Sequence, residues 1–153
     1  MFDLRDAAKQ NSTPGAPEWV RVAPYGSWHH PKAGAFTIGP GNARQMVANA
    51  ARGVDIVVDF EDQTLTGAKA PAAGWLKQLE ARDDGVWARV EWTEQGRAMI
   101  EAKQYRYFSP VFAFDAKDPR TGERIATALH SVALTASWIP VSARWAAAHC
   151  HRA

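Results

Sequence analysis

The sequence predicts an α+β fold in which strands outnumber helices, and three observations carry that prediction. Four runs place apolar residues with the spacing of a strand: Glu18–Ala23, Val54–Phe60, Tyr105–Phe114 and Arg124–Thr135. Trp75–Arg82 and Val86–Trp92 flank Asp83-Asp84-Gly85, whose Asp-Gly step marks a hairpin. Asn42 and Thr93 each open a segment of helical spacing with a side chain suited to an N-cap. At 153 residues the chain is one domain's length, enough for a proper hydrophobic core.

Taken in order, residues 1–17 form a lead rich in breakers (Pro14, Gly15, Pro17) that is expected to be poorly ordered, and residues 18–153 form a single domain. Glu18–Ala23 is the first strand. Pro24–Pro31 reads as a loop with His29 and His30, a surface pair rather than a metal site, since no third ligand is spaced to join them. Ala33–Ile38 is a short strand. The helix from Asn42 to Arg52 buries Ala43, Met46, Val47 and Ala50, with Gly53 placed to close it. Val54, Ile56, Val58 and Phe60 form the inward set of the next strand, so Asp62 continues that buried face. The helix from Thr93 to about Lys103 turns Ala98, Met99 and Ala102 inward. Asp115–Glu123 is a turn with Asp-Pro and Thr-Gly steps. Arg124–Thr135 returns as one or two strands, and Val141 onward is an Ala-rich C-terminal helix.

Composition excludes several function classes. Apolar residues at 46% and charged residues at 22% are globular usage, not that of a disordered chain. The tryptophans are scattered and read as packing rather than a platform for bases. A net charge of +2 with both signs interspersed leaves no footprint for nucleic acid, which counts against a small nucleic-acid-binding barrel. The lone Cys150 rules out an intramolecular disulfide and fits a reducing compartment. No apolar run approaches a membrane span and Met1–Gln10 is too charged for a signal-peptide core, so a soluble, intracellular protein is expected. With no repeat, phosphate loop, zinc spacing or dinucleotide fingerprint, no cofactor or metal is expected.

The candidate chemistry gathers on three strands. Alternation puts Tyr105, Tyr107, Ser109, Val111 and Ala113 on one face of Tyr105–Phe114 and Phe108, Pro110, Phe112 and Phe114 on the other. Pro110 cannot donate to a ladder, so it implies an edge, bulge or break just after Ser109. By itself this is a core strand with an incidental serine. Asp59, Glu61 and Asp62 crowd three carboxylates at a strand exit, which is either a solvated acidic turn or a site on the inner face beside Ser109. His130 shares a face with Val132 and Leu134, a position more common for a satisfied core histidine than for a catalyst.

In order, VVDFEDQT, APAAGW, DGVWARVEWT, YRYFSPVF and LHSVALT resemble the Mu-like phage I protein family of head-maturation proteases over about Trp19 to Pro140. The resemblance implies a mostly antiparallel β-barrel flanked by a few helices, similar to prohead and assemblin-type serine proteases. It implies Ser109 as nucleophile and a third site residue near LHSVALT, where His130 and Ser131 are the polar side chains. In that family the strand exit reads D-Y/F-E-H-Q-T, with the general base histidine just before the glutamine; here that position is Asp62. An aspartate near its reference pKa of about 4 is a poor acceptor for a serine proton. Three readings follow: His130 as base with Asp62 orienting it, an inactive copy that serves as a capsid-assembly or scaffold-binding module, or a histidine position offset by one. The implied substrates are phage scaffold and major capsid proteins inside the assembling prohead in the host cytoplasm, bound as extended segments beside a strand edge. A homodimer is also implied, because assemblin-like enzymes can need one. The helical scaffolding extension that such proteases carry is expected to be absent, because the chain stops soon after Pro140.

Overall fold

The alternating runs pair into one seven-stranded sheet. In chain order its strands are β1 (Phe2–Asp3), β2 (Trp19–Pro24), β5 (Ile56–Phe60), β6 (Gly74–Arg82), β7 (Gly85–Trp92), β8 (Tyr107–Lys117) and β9 (Arg124–Thr135). The sheet order is β1-β8-β9-β5-β6-β7-β2, and β3 (Gly26–His30) and β4 (Gly34–Ile38) form a separate hairpin. The computed structural model describes residues 2–3, 15–30, 34–67 and 71–136. The expected C-terminal helix, with His149, Cys150 and His151, and most of the N-terminal lead fall outside them. Within the lead, Phe2 and Asp3 pair with Phe108 and Tyr107. Every pair is antiparallel except β5 with β9, which run parallel at Val58–Val132, Asp59–Ala133 and Phe60–Leu134.

The sheet curls into a half-barrel that stays open, which corrects the expected closed barrel. Pro24 and Pro110, from β2 and β8, line part of the space between these strands together with Trp28, Phe36 and Phe112. Neither can donate a ladder hydrogen bond there. The Phe36 ring of β4 packs on Phe114 of β8 at 5.5 Å between centroids. Pro110 does not break β8. Strand β1 reaches only Tyr107 and Phe108, leaving the outer side of Pro110 without a strand partner among the described residues.

The core lies inside the curl, with Val20, Val22, Val58, Phe60, Val86 and Leu134 among its members. Each such side chain contributes about 1.5–3 kcal/mol by leaving water. Helix α1 (Pro40–Ala50) closes one end with Ala43 and Met46 buried. It starts earlier than expected: Gly39 is the N-cap, Pro40 takes the first turn, and Asn42 Oδ1 accepts the Gly39 N–H at 3.0 Å. Helix α2 (Glu94–Glu101) has Thr93 as its N-cap, with Thr93 Oγ1 accepting the Gly96 N–H at 3.1 Å. Its buried positions are Gly96 and Ile100 rather than Ala98 and Ala102, because a side chain at 96 would run into the Ala73 carbonyl. No helix among the described residues is long and apolar enough to cross a membrane.

The β6–β7 hairpin turns at Asp83-Asp84 with Arg82 opposite Gly85, as the Asp-Gly step predicts. The loop expected at Pro24–Pro31 is instead mostly strand, with Trp28 opposite Phe36 in the β3–β4 hairpin.

Strand β9 is one strand, but its first half has no strand beside it on the β5 side. Side chains of α1 take that place. Asn49 Nδ2 donates to Ile125 O at 2.6 Å and to Thr127 O at 2.8 Å. Gln45 Oε1 accepts the Thr127 N–H at 3.2 Å, and Asn42 Nδ2 donates to Thr127 Oγ1 at 3.1 Å. Spacings of three and four put these amides on one side of the helix, where they satisfy backbone groups a neighbouring strand would have satisfied.

Candidate functional site

Strand β5 is paired on both edges, by β9 and β6, and residues on both of its faces are buried. Ile56, Val58 and Phe60 join the core, while Val54 lies before the strand and is exposed, contrary to the expected inward set. Asp59 points to the opposite face and is 2% exposed. The register extends that face: Asp59 is level with Ala133 of β9, and Ala133 is level with Ser109 of β8. Ser131 lies opposite Val111 and Thr135 opposite Tyr107 on the same side. Five of the seven buried polar side chains among the described residues, Asp59, Asp62, Ser109, Ser131 and Thr135, sit on this face or at its rim. Burying polar groups is costly unless they are partnered, so such a concentration marks a functional candidate.

The exit of β5 is strained. Glu61 and Asp62 have φ of 56° and 59°, two successive left-handed residues that are not glycine, at on the order of 1 kcal/mol each. Two bonds tie the turn to β9: Glu61 N–H donates to Leu134 O at 2.9 Å, and Ala136 N–H donates to Glu61 Oε1 at 2.8 Å. The chain then enters a 3₁₀ turn (Gln63–Thr66), and Thr64 N–H donates back to Asp59 Oδ2 at 2.9 Å. Asp62 is buried, as expected, but through this reversal rather than by continuing the alternation.

His130 lies elsewhere than its spacing implied. Val111 pairs with Ser131 but Phe112 with Leu129, so His130 is the extra residue of a β-bulge. The bulge shifts the phase of β9, so Leu129, Val132 and Leu134 face the core and His130 is exposed. Its Nδ1 lies 3.3 Å from Ser131 Oγ. Phe60, two residues before Asp62, is level with Leu134, four strand positions or roughly 13 Å along β9 from His130. Ser109 is three positions away from His130, on the order of 10 Å along the strand. The structure thus brings Ser109 beside Asp59 and does not bring His130 to Asp62. Among the described residues no hydrogen bond joins Ser109 to His130 or to Asp62.

Asp59, assigned in sequence to the far side of its strand, is the site residue that reasoning missed. Its signal was the nearly continuous apolar run Ile56–Val58, the pattern of a strand buried on both faces rather than one.

Before their parallel pairing begins, β5 and β9 part around a cleft of about 460 Å³, within the range of small-molecule and side-chain sites. Val57, Thr64, Ala128 and His130 line one part, and Arg52, Asp118 and Ile125 another. Its far wall holds a second buried carboxylate. Asp118 accepts the Arg120 N–H at 2.8 Å and Arg52 Nη1 at 2.9 Å. These bonds hold its pKa down to about 2, the backbone N–H having the largest effect. No group of three or more His, Cys, Asp or Glu arranged for a metal ion occurs among the described residues.

A family model described as Mu-like prophage I protein, N-terminal domain, matches residues 20–138. The match covers more than half of the chain, which therefore belongs to that family. No curated protein and no solved structure matches it.

Proposed function

We propose that this member of the Mu-like prophage I family works in phage head assembly as a serine endopeptidase of the prohead-maturation type. Ser109 is the nucleophile and extended segments of scaffold and major capsid proteins are the substrates, cleaved inside the assembling prohead in the host cytoplasm. The observation that carries the reading is the buried polar face: Ser109 lies level with Asp59 and on the same face as Ser131 and Thr135, in the strand whose YRYFSPVF block the resemblance implies as the nucleophile's. The chemistry is acyl transfer, in which Ser109 Oγ attacks a peptide carbonyl and the acyl-serine is then hydrolysed. The cleft beside Val57 and Ala128 offers room for an apolar substrate side chain. Kinship with assemblin-type barrels, and the dimer such enzymes can need, belong to the same proposal. No cofactor is required by this chemistry.

One observation favours a second reading. No imidazole bonds Ser109 among the described residues, and Asp62 stands where the resemblance puts the general base. That is what a non-catalytic scaffold- or capsid-binding module on this fold would display.

Co-expression with the phage's scaffold and capsid proteins separates the two. Cleavage by the unaltered chain that is lost in Ser109→Ala establishes the peptidase. If the unaltered chain is silent and Asp62→His restores cleavage, the chain is an inactive copy. If a folded Asp62→His variant is silent too, the binding module stands.

A further inference from the structure

Among the described residues neither His130 nor Asp62 bonds to Ser109, so neither is placed to accept its proton. Asp59 is the one titratable group that the register puts level with Ser109 on the same face. The two residues flank Ala133, with Cα atoms two strand spacings or about 10 Å apart. Asp59 Oδ2 is engaged by the Thr64 N–H, but Oδ1 is buried with no hydrogen-bond partner. Native structures rarely leave such an oxygen unserved. A water needs two to four polar partners, and Asp59 Oδ1, Ser109 Oγ and Ser131 Oγ supply three around a small residue.

We propose that this face binds a water bridging Asp59 to Ser109, and that Asp59 is the acceptor for the Ser109 proton; this rests on the peptidase reading. As Ser109 Oγ bonds to the substrate carbonyl carbon, its proton passes to the water. The water delivers a proton to Asp59 Oδ1, leaving a neutral carboxylic acid and an oxyanion on the substrate. When the C–N bond breaks, a proton returns through the water to the departing amine. A second water, deprotonated by the same route, attacks the acyl-serine, and Ser109 recovers its proton as it leaves. Thr64 N–H holds the other oxygen and so fixes the carboxylate. A carboxylate is a weaker base than imidazole, so this arrangement is expected to turn over slowly beside a histidine-assisted serine.

The test uses the full chain and a fluorophosphonate probe, which labels a serine only when its hydroxyl is activated. Labelling of Ser109 is followed against pH for the unaltered chain, Asp59→Asn and Ser131→Ala. Asp59→Asn keeps an oxygen for Thr64 and is expected to slow labelling at least 100-fold, within the usual range for a general base. The ionisation governing the unaltered chain's pH profile should also vanish. Ser131→Ala removes one partner of the water without touching Asp59, and about tenfold slowing is expected; it decides the matter if Asp59→Asn does not fold. Labelling of a folded Asp59→Asn at the unaltered rate, or an unaffected Ser131→Ala where that variant must decide, overturns the role of Asp59 and leaves the peptidase standing. No labelling of the unaltered chain overturns both.

Discussion

Asp118 and Asp59 are both 2% exposed, yet the fold treats them in opposite ways. Around Asp118 the protein closes a full set of donors. Arg120 N–H and Arg52 Nη1 bond one oxygen each, Arg52 reaches on to Glu123 at 3.0 Å, and Arg120 Nη2 donates to Arg52 O at 2.7 Å. Around Asp59 it stops at one donor and leaves Oδ1 bare, next to a turn with two left-handed residues. A buried carboxylate that only stabilises a corner is surrounded by fixed donors, as Asp118 is. One with an oxygen left open, beside local strain, has the marks of a group kept for something that arrives later.

The sharpest way to break this contrast is to remove the carboxylates in turn. Asp118→Ala takes one acceptor from the Arg52 guanidinium, which keeps Glu123, and leaves the Arg120 N–H unserved, so it should give the largest fall in Tm of the series. The same carboxylate sets an acid limit. Its folded pKa of about 2 lies below the ordinary aspartate value of 3.8, so its stabilisation is complete above about pH 4 and is lost as pH falls toward 2. Urea midpoints measured between pH 5 and 2 should drop over that window, and Asp118→Asn should flatten the drop.

Asp59→Asn should cost less than about 1 kcal/mol in urea unfolding, because the amide oxygen still accepts the Thr64 N–H and the amide nitrogen can donate to the bridging water. A loss equal to that of Asp118→Asn would erase the distinction between the two sites. The smallest effect has the opposite sign. Asp62→Gly relieves a left-handed residue with φ of 59° and should stabilise by about 0.5–1 kcal/mol. A thermal melt that moves down instead would show that the Asp62 side chain contributes more than its backbone costs.

Much of the fold was legible because its signals are local. Asp83-Asp84-Gly85 specifies its turn within a few residues, and Thr93 caps α2 with its own hydroxyl. Ser109 on the face away from Phe108 and Phe112, which turn to the core, follows from alternation in β8. What escaped depends on partners distant in sequence. One extra residue at His130 flips the phase of β9, and nothing in LHSVALT reveals which residue is extra until β8 lies beside it. Glu61 and Asp62 take left-handed angles because β9 grips that turn through Leu134 and Ala136. The hairpin at Trp28 and Phe36 was hidden by glycine and proline, whose turn signals outweighed two short strands.

The amide row of α1 has a consequence for how these molecules behave when crowded. A strand half left open along its backbone is an invitation for a second chain to add itself, and repetition of that step builds fibrils. Asn49 and Gln45 occupy those backbone groups from a helix, which cannot be extended sideways as a sheet can. The exposed flank of β9 therefore ends in side chains that match a strand's hydrogen bonds but offer none onward, and neighbouring copies meet a surface on which β-polymerisation has nowhere to start.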